Sequence, residues 1–197
     1  MSSKYQKAYF LLSAADVKQL PPDEGIEVAI VGRSNSGKSS VLNRITHTKG
    51  LARVSKTPGR TQLLNVFVVD DTRRLIDLPG YGFAKAAPSA KRIWRAAIDA
   101  YFQGRESLKG VVIVMDIRHP LKDSDWHMIE YCADRALAIH ILLNKSDKLS
   151  NSDVANTVRE VKKELSDAPF PVTVQRFSAL KNIGIKELEA VLNEWYE

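Results

Sequence analysis

Short apolar runs that stop at a glycine, an aspartate or an asparagine recur along the chain, and between them apolar residues return every three or four positions. Residues 26–31 (IEVAIV) form such a run ending at Gly32, as a buried parallel strand would, and residues 38–46 after it are compatible with a helix. Residues 62–70 and 73–78 predict two strands joined by the acidic turn Asp70-Asp71-Thr72, hence an antiparallel hairpin. Pro79-Gly80-Tyr81-Gly82 cannot be regular structure. Strands are then predicted at 111–116, 138–144 and 171–177, alternating with helices at about 123–135, 152–165 and 185–195. In the last two helices Val154, Val158, Val161 and Leu165, and Ile185, Leu188, Leu192 and Trp195, recur at helical steps, as core-facing stripes do. The pattern predicts an α/β fold: three layers, doubly wound, with a mostly parallel six-stranded sheet containing one antiparallel strand and ligands at the carboxyl ends of the strands. Residues 1–24 read as a lead-in packed on a single domain of residues 25–197.

Composition narrows this picture. At 197 residues, 44% hydrophobic and 26% charged, the chain can bury one sizeable core. No apolar run reaches the length of a membrane span, so a cytoplasmic protein with no membrane partner is expected. One cysteine, Cys132, reads as a small buried hydrophobe, and four scattered histidines give no zinc or haem spacing. The net charge of +6 is uneven: residues 49–105 hold eleven Lys and Arg against four Asp and no Glu. An excess confined to that segment is the footprint expected of a polyanion binder.

The chemistry lies at the strand ends. Gly32-Arg33-Ser34-Asn35-Ser36-Gly37-Lys38-Ser39 fits GxxxxGK[ST] between a predicted strand and helix. Glycines let the backbone wrap a phosphate chain, the helix points its positive end there, Lys38 reaches the β- and γ-phosphates, and Ser39 is placed to ligate Mg²⁺. Asp77-Leu78-Pro79-Gly80 puts a carboxylate at a strand tip facing that Mg²⁺, with Gly80 as an amide able to sense a γ-phosphate. Asn144-Lys145-Ser146-Asp147 matches NKxD, in which a carboxylate accepts from guanine N1–H and the N2 amine, donors adenine lacks. Ser178-Ala179-Leu180-Lys181 matches SAxK, whose backbone contacts guanine O6. GTP and GDP are thus the expected nucleotides, with Mg²⁺. Thr61, in the long polar stretch 46–62, is the best candidate to complete the metal shell, with Thr57 second. An ATP-using kinase of small substrates is the weaker reading, because of NKSD and the absence of a lid insertion.

Together GRSNSGKSS, SKTPGRTQ, DLPGYGFAK, NKSD and SALK resemble the EngB (YihA/YsxC) family of bacterial ribosome-assembly GTPases, within the TrmE-Era-EngA-EngB-septin-like superfamily, over nearly the whole chain. The resemblance implies phosphate contacts by residues 32–39, Mg²⁺ ligation by Ser39 and Thr61, and guanine contacts by Asn144, Lys145, Asp147 and Ser178, Ala179 and Leu180. Gly59 and Arg60 join the nucleotide-binding set beside Thr61. The family often has Thr where this chain has Asn144, a departure that should preserve base recognition. The resemblance also implies action on the large ribosomal subunit or its precursor, meaning rRNA and ribosomal proteins, and a part in division and septation; a monomer is expected. The alternative is a switch of the division machinery that binds an acidic protein without touching rRNA. Tyr81 stands where Ras-like proteins place a water-orienting Gln, so intrinsic hydrolysis should be slow and stimulated by a partner. Asn35 resembles the asparagine with which related GTPases hold K⁺ beside the phosphates, which gives Lys38, Thr61, Gly80 and Asn35 as the catalytic set. GTP is expected to align Arg60, Lys85, Lys91, Arg92 and Arg95 toward rRNA, while Trp94 and Phe83 either stack on bases or pack the switch.

Overall fold

The computed structural model describes residues 4–48, 50–51, 63–82 and 88–197. Strands β1 (Tyr9–Ala14), β2 (Ile26–Gly32), β3 (Leu64–Val68), β4 (Arg73–Asp77), β5 (Leu108–Asp116), β6 (Ala138–Asn144) and β7 (Val172–Arg176) form one sheet in the order β1-β3-β4-β2-β5-β6-β7. Only β3 runs against the rest: it pairs antiparallel with both β1 and β4, and every other pairing is parallel. The sheet therefore has seven strands rather than six, the addition being β1 inside the lead-in. Its burial runs from exposed to half-buried until Ala14, and Tyr9, Phe10 and Leu11 stay open to solvent. An edge strand of this kind lacks the continuous burial that marks β2 and β5.

Helices α1 (Lys38–Ile45) and α5 (Ile185–Trp195) cover one face, where Val41, Leu42, Ile45, Leu188 and Leu192 meet Val28, Ile30 and Val112. Helices α2 (Pro88–Gly104), α3 (Asp123–Ala133) and α4 (Asn151–Leu165) cover the other, packing Ile98, Tyr101, Met128, Ile129, Val154 and Val161 against Ala29, Ile76, Val111 and Ile113. Cys132 is fully buried there, and burial pushes its thiol up to about 12. Helix α2 is an addition to the sequence reading. Its apolar positions 94, 98, 101 and 102 are helically spaced and Pro88 opens it at the position where proline suits a helix, but basic residues break the run.

Beneath the sheet, at the amino ends of its strands, Glu27 is fully buried against Arg105, with Arg74 Nη1 at 3.4 Å and the Tyr101 hydroxyl donating at 3.0 Å. Arg105 and Arg74 also donate to the carbonyls of Pro21, Pro22 and Glu24, and Asp23 accepts from the amides of Glu106 and Ser107. The turn into β2 is thereby tied to the sheet base, leaving the opposite end of the strands for chemistry. These bonds also correct the charge reading: Arg73, Arg74 and Arg105 are held by Asp70, Glu27 and Asp23, so part of the basic excess is internal.

Candidate functional site

β2 lies between β4 and β5, so the connections leaving its carboxyl end and theirs part to opposite sides and open a crevice. Residues 32–39 line it. Gly37 takes φ +94° as the residue before α1, and a Cβ there would come within 2.4 Å of Asn144 Nδ2, so only glycine fits. Asn35 is also left-handed, at φ +66°, and exposed. Ser36 is buried, and its hydroxyl has no hydrogen-bond partner among the described residues. A phosphate loop shaped around a polar ligand leaves such an orphan.

Asp77 ends β4 opposite Ile30 of β2, buried, with one oxygen against the Lys38 ammonium and the other accepting from Asn65 Nδ2 at 3.3 Å. Among the described residues no group of three or more His, Cys, Asp or Glu can hold a metal. Asp77 and Ser39 nonetheless fit Mg²⁺: they are hard oxygen donors, few in number, and Asp77 already faces a cation. Mg²⁺ ordinarily keeps waters and borrows phosphate oxygens to fill its shell. Thr61, Thr57, Gly59 and Arg60 lie outside the described residues, as do Lys85 and Phe83.

The NKSD and SALK residues lie at the end of β6 and in the loop after β7. Asn144, almost fully buried, donates Nδ2 to the Ser36 carbonyl at 2.9 Å and accepts from the Ala179 amide at 3.3 Å. Its place is thus between loops, fastening the phosphate loop to the SALK turn. Lys145, at φ +65°, sends its ammonium to the Asn35 carbonyl at 2.7 Å and to Asp116 Oδ2 at 3.0 Å, tying the end of β6 to the phosphate loop and to the end of β5. Asp147 accepts from the Ser178 hydroxyl, which also receives the Lys181 amide, so these side chains set the turn carrying Ala179 and the exposed Leu180. The Ser146 amide donates to the Phe177 carbonyl at 3.0 Å.

Two acids escaped the sequence reading. Asp116 ends β5 in register with Asn144; the Arg118 guanidinium, opposed by burial and joined by Lys145, holds its carboxyl well below the usual carboxylate range. Its signal was the terminal aspartate of VVIVMD, the same strand-tip placement that marked Asp77. Asp125, fully buried in the first turn of α3, accepts from the Tyr81 hydroxyl and from Arg33. Neither bond is visible in sequence spacing. Arg33 therefore contributes its backbone to the phosphate loop while its side chain turns toward α3. Tyr81 is buried, not aimed at solvent; burial, then the Asp125 charge, raise its hydroxyl well above the ordinary value. Trp94 packs at the core margin and donates its indole N–H to the Pro79 carbonyl at 3.0 Å.

A phosphate loop at a helix start, a strand-tip aspartate beside its lysine, and an NKxD strand end fastened to a SALK turn define a P-loop GTPase. A family described as "50S ribosome-binding GTPase" matches residues 27–145. The chain belongs to the EngB family of GTP-binding proteins: it is 50% identical over 192 residues to the probable GTP-binding protein EngB of Coxiella burnetii (strain RSA 331 / Henzerling II), covering 98% of this chain and 94% of that one. It is 52% identical over 191 residues to the protein so named from Colwellia psychrerythraea, covering 97% and 85%. The fold matches the crystal structure of a probable GTP-binding protein engB, at 21% identity and TM-score 0.69, over 86% of this chain and 98% of that one. It also matches, at 23% identity and TM-score 0.65 over 86% and 56%, the protein Era, solved with MgGDPNP and a segment of 16S ribosomal RNA.

Proposed function

We propose that this GTPase is a Mg²⁺-dependent switch that binds the large ribosomal subunit or its precursor when GTP is present and releases it after hydrolysis. The observation that carries this reading is the bond from Trp94 to Pro79, which fastens α2 to the DLPG segment. Two residues to one side and one to the other, that helix exposes Arg92 and Arg95 around a solvent-facing Ile93, a basic surface suited to rRNA phosphate. A switch whose γ-phosphate sensor is attached to its basic surface can change affinity for a polyanion as the nucleotide changes.

In the reaction, the amides of residues 35 and 37–39 at the start of α1 hold the phosphates, the Ser34 and Ser36 amides being bonded to the Tyr81 and Arg33 carbonyls; Lys38 neutralises the β- and γ-oxygens, and Asp147 reads guanine. Asp77 and Ser39 would hold Mg²⁺, which supplies charge neutralisation between the phosphates. Tyr81 has its hydroxyl committed to Asp125, so this side chain does not orient an attacking water and intrinsic turnover is slow. K⁺ held by the exposed Asn35 would supply positive charge at the phosphates; turnover should rise several-fold in K⁺ over Na⁺ buffer and lose that difference in Asn35→Ala, whereas equal rates in both salts remove Asn35 from the catalytic set.

The test is sedimentation of the chain with large ribosomal subunits in GDP, in a non-hydrolysable GTP analogue and without nucleotide, at low and moderate salt. Analogue-dependent, salt-sensitive co-sedimentation is expected. No binding in any state leaves the GTPase intact and moves the partner to a protein of the division machinery.

A further inference from the structure

Asp125 has no solvent exposure, and burying a carboxylate is costly unless its oxygens are well served. Three groups serve them. The Tyr81 hydroxyl donates to Oδ1 at 2.8 Å, Arg33 Nε lies 3.2 Å from Oδ1 and 3.1 Å from Oδ2, and the Lys122 amide donates to Oδ2 at 3.0 Å. Only the last bond serves its own helix; the others reach the phosphate loop and the residue that follows Gly80. Arg33 is fixed further by its Nη2 donating to the His119 carbonyl at 2.5 Å.

The backbones of the two partners are also laced together. The Tyr81 amide donates to the Gly32 carbonyl at 3.2 Å, and the Ser34 amide donates to the Tyr81 carbonyl at 3.1 Å, so the DLPGY segment runs beside the phosphate loop. On the other side, Trp94 grips Pro79. Gly80 thus lies between two anchored neighbours, and the anchor on its carboxyl side ends at Asp125.

We propose that Asp125 is a positioning residue for GTP hydrolysis: through Tyr81 and Arg33 it favours the arrangement in which the Gly80 segment lies beside the phosphate loop, so that the γ-phosphate of bound GTP is met by a preorganised amide. This rests on the reading of Gly80 as the γ-phosphate sensor. GDP has no γ-phosphate, so its binding draws on the phosphate loop and Asp147 but not on the position of Gly80. Loss of the Asp125 bonds should therefore separate the two nucleotides.

The experiment uses the full chain carrying Asp125→Asn or Tyr81→Phe. It measures the dissociation constants of GDP and a non-hydrolysable GTP analogue, single-turnover GTP hydrolysis, and the melting temperature without nucleotide. Asp125→Asn should leave the GDP constant within about threefold, weaken the analogue at least tenfold and slow hydrolysis at least tenfold. Tyr81→Phe, which keeps the Arg33–Asp125 pair and removes one hydroxyl, should show the same selectivity at roughly threefold to tenfold; it carries the test if Asp125→Asn does not fold. Equal weakening of both nucleotides, or a lowered melting temperature with the GDP-to-analogue ratio unchanged, overturns the proposal and leaves Asp125 as a brace of the fold. If the parent chain does not distinguish the analogue from GDP by rate or affinity, the sensor reading of Gly80 fails first.

Discussion

Among the described residues the Ser178 hydroxyl donates to Asp147 and the Lys148 ammonium lies 3.8 Å from its other oxygen, which leaves acceptor capacity on the carboxylate for the two guanine donors it is proposed to read. Replacing it with Asn turns one acceptor into a donor facing another donor. The unmet groups should cost about 1–3 kcal/mol, a loss of roughly fivefold to 150-fold in GTP and GDP affinity, with the phosphate contacts untouched. Displacement of a fluorescent GDP measures this, and ATP, which lacks the donor pair, should bind no worse than to the parent. A comparable fall for ATP would place Asp147 in the structure of the loop instead of in base recognition. Asn144 behaves differently, because both of its bonds are to protein backbone and its loss should unfasten two loops together.

At the scale of elements, what the sequence disclosed follows from how each element is buried. β2, β5 and β6 are buried along nearly their whole length, so their apolar runs mark them as strands, and the motifs at the tips of β2 and β6 could be placed, while Asp116 at the tip of β5 belongs to no spaced motif. α4 and α5 show one-sided stripes that the 3.6-residue period reads directly. β1 is an edge strand with three exposed hydrophobics, and α2 mixes its core residues with exposed arginines, so neither has a pattern of its own. The NKSD and SALK residues were legible one by one, but the bonds among Arg33, Tyr81 and Asp125 join residues 44 and 92 positions apart, which no local spacing encodes. The same blindness hides the seam between β5 and α5. Gly110 admits the Trp195 ring so closely that an added Cβ would fall 2.4 Å from it, and the same ring stands nearly perpendicular to His140, with ring centroids 6.5 Å apart. Gly110→Ala should destabilise the chain by about 1–3 kcal/mol through overpacking, lowering Tm by roughly 5 °C. Nucleotide affinity measured below that Tm should be unchanged, because the seam lies at the amino end of β5, away from the cleft.

For the molecule as a whole, charge placement decides how it meets a polyanion. Arg74 and Arg105 are spent on Glu27 at the base of the sheet, so the basic segment offers less free charge than its composition suggests. Arg92 and Arg95 remain exposed on α2, beside the DLPG segment. Lys162 and Lys163 are equally exposed on α4, which packs on β7 at the far edge of the sheet. Reversing either pair to Glu changes the net charge by the same amount, so a difference between the two double variants reports position and not total charge. If α2 contacts rRNA, Arg92→Glu with Arg95→Glu should reduce analogue-dependent association with the large subunit at least tenfold. The slope of log affinity against log salt should fall by about two, one for each lost phosphate contact. Lys162→Glu with Lys163→Glu should keep both the association and its slope, and GTP hydrolysis without the subunit should be the same in both variants. Equal losses from the two pairs would mean that attraction to rRNA is a property of net charge alone, and α2 would then lose its place as the contact surface.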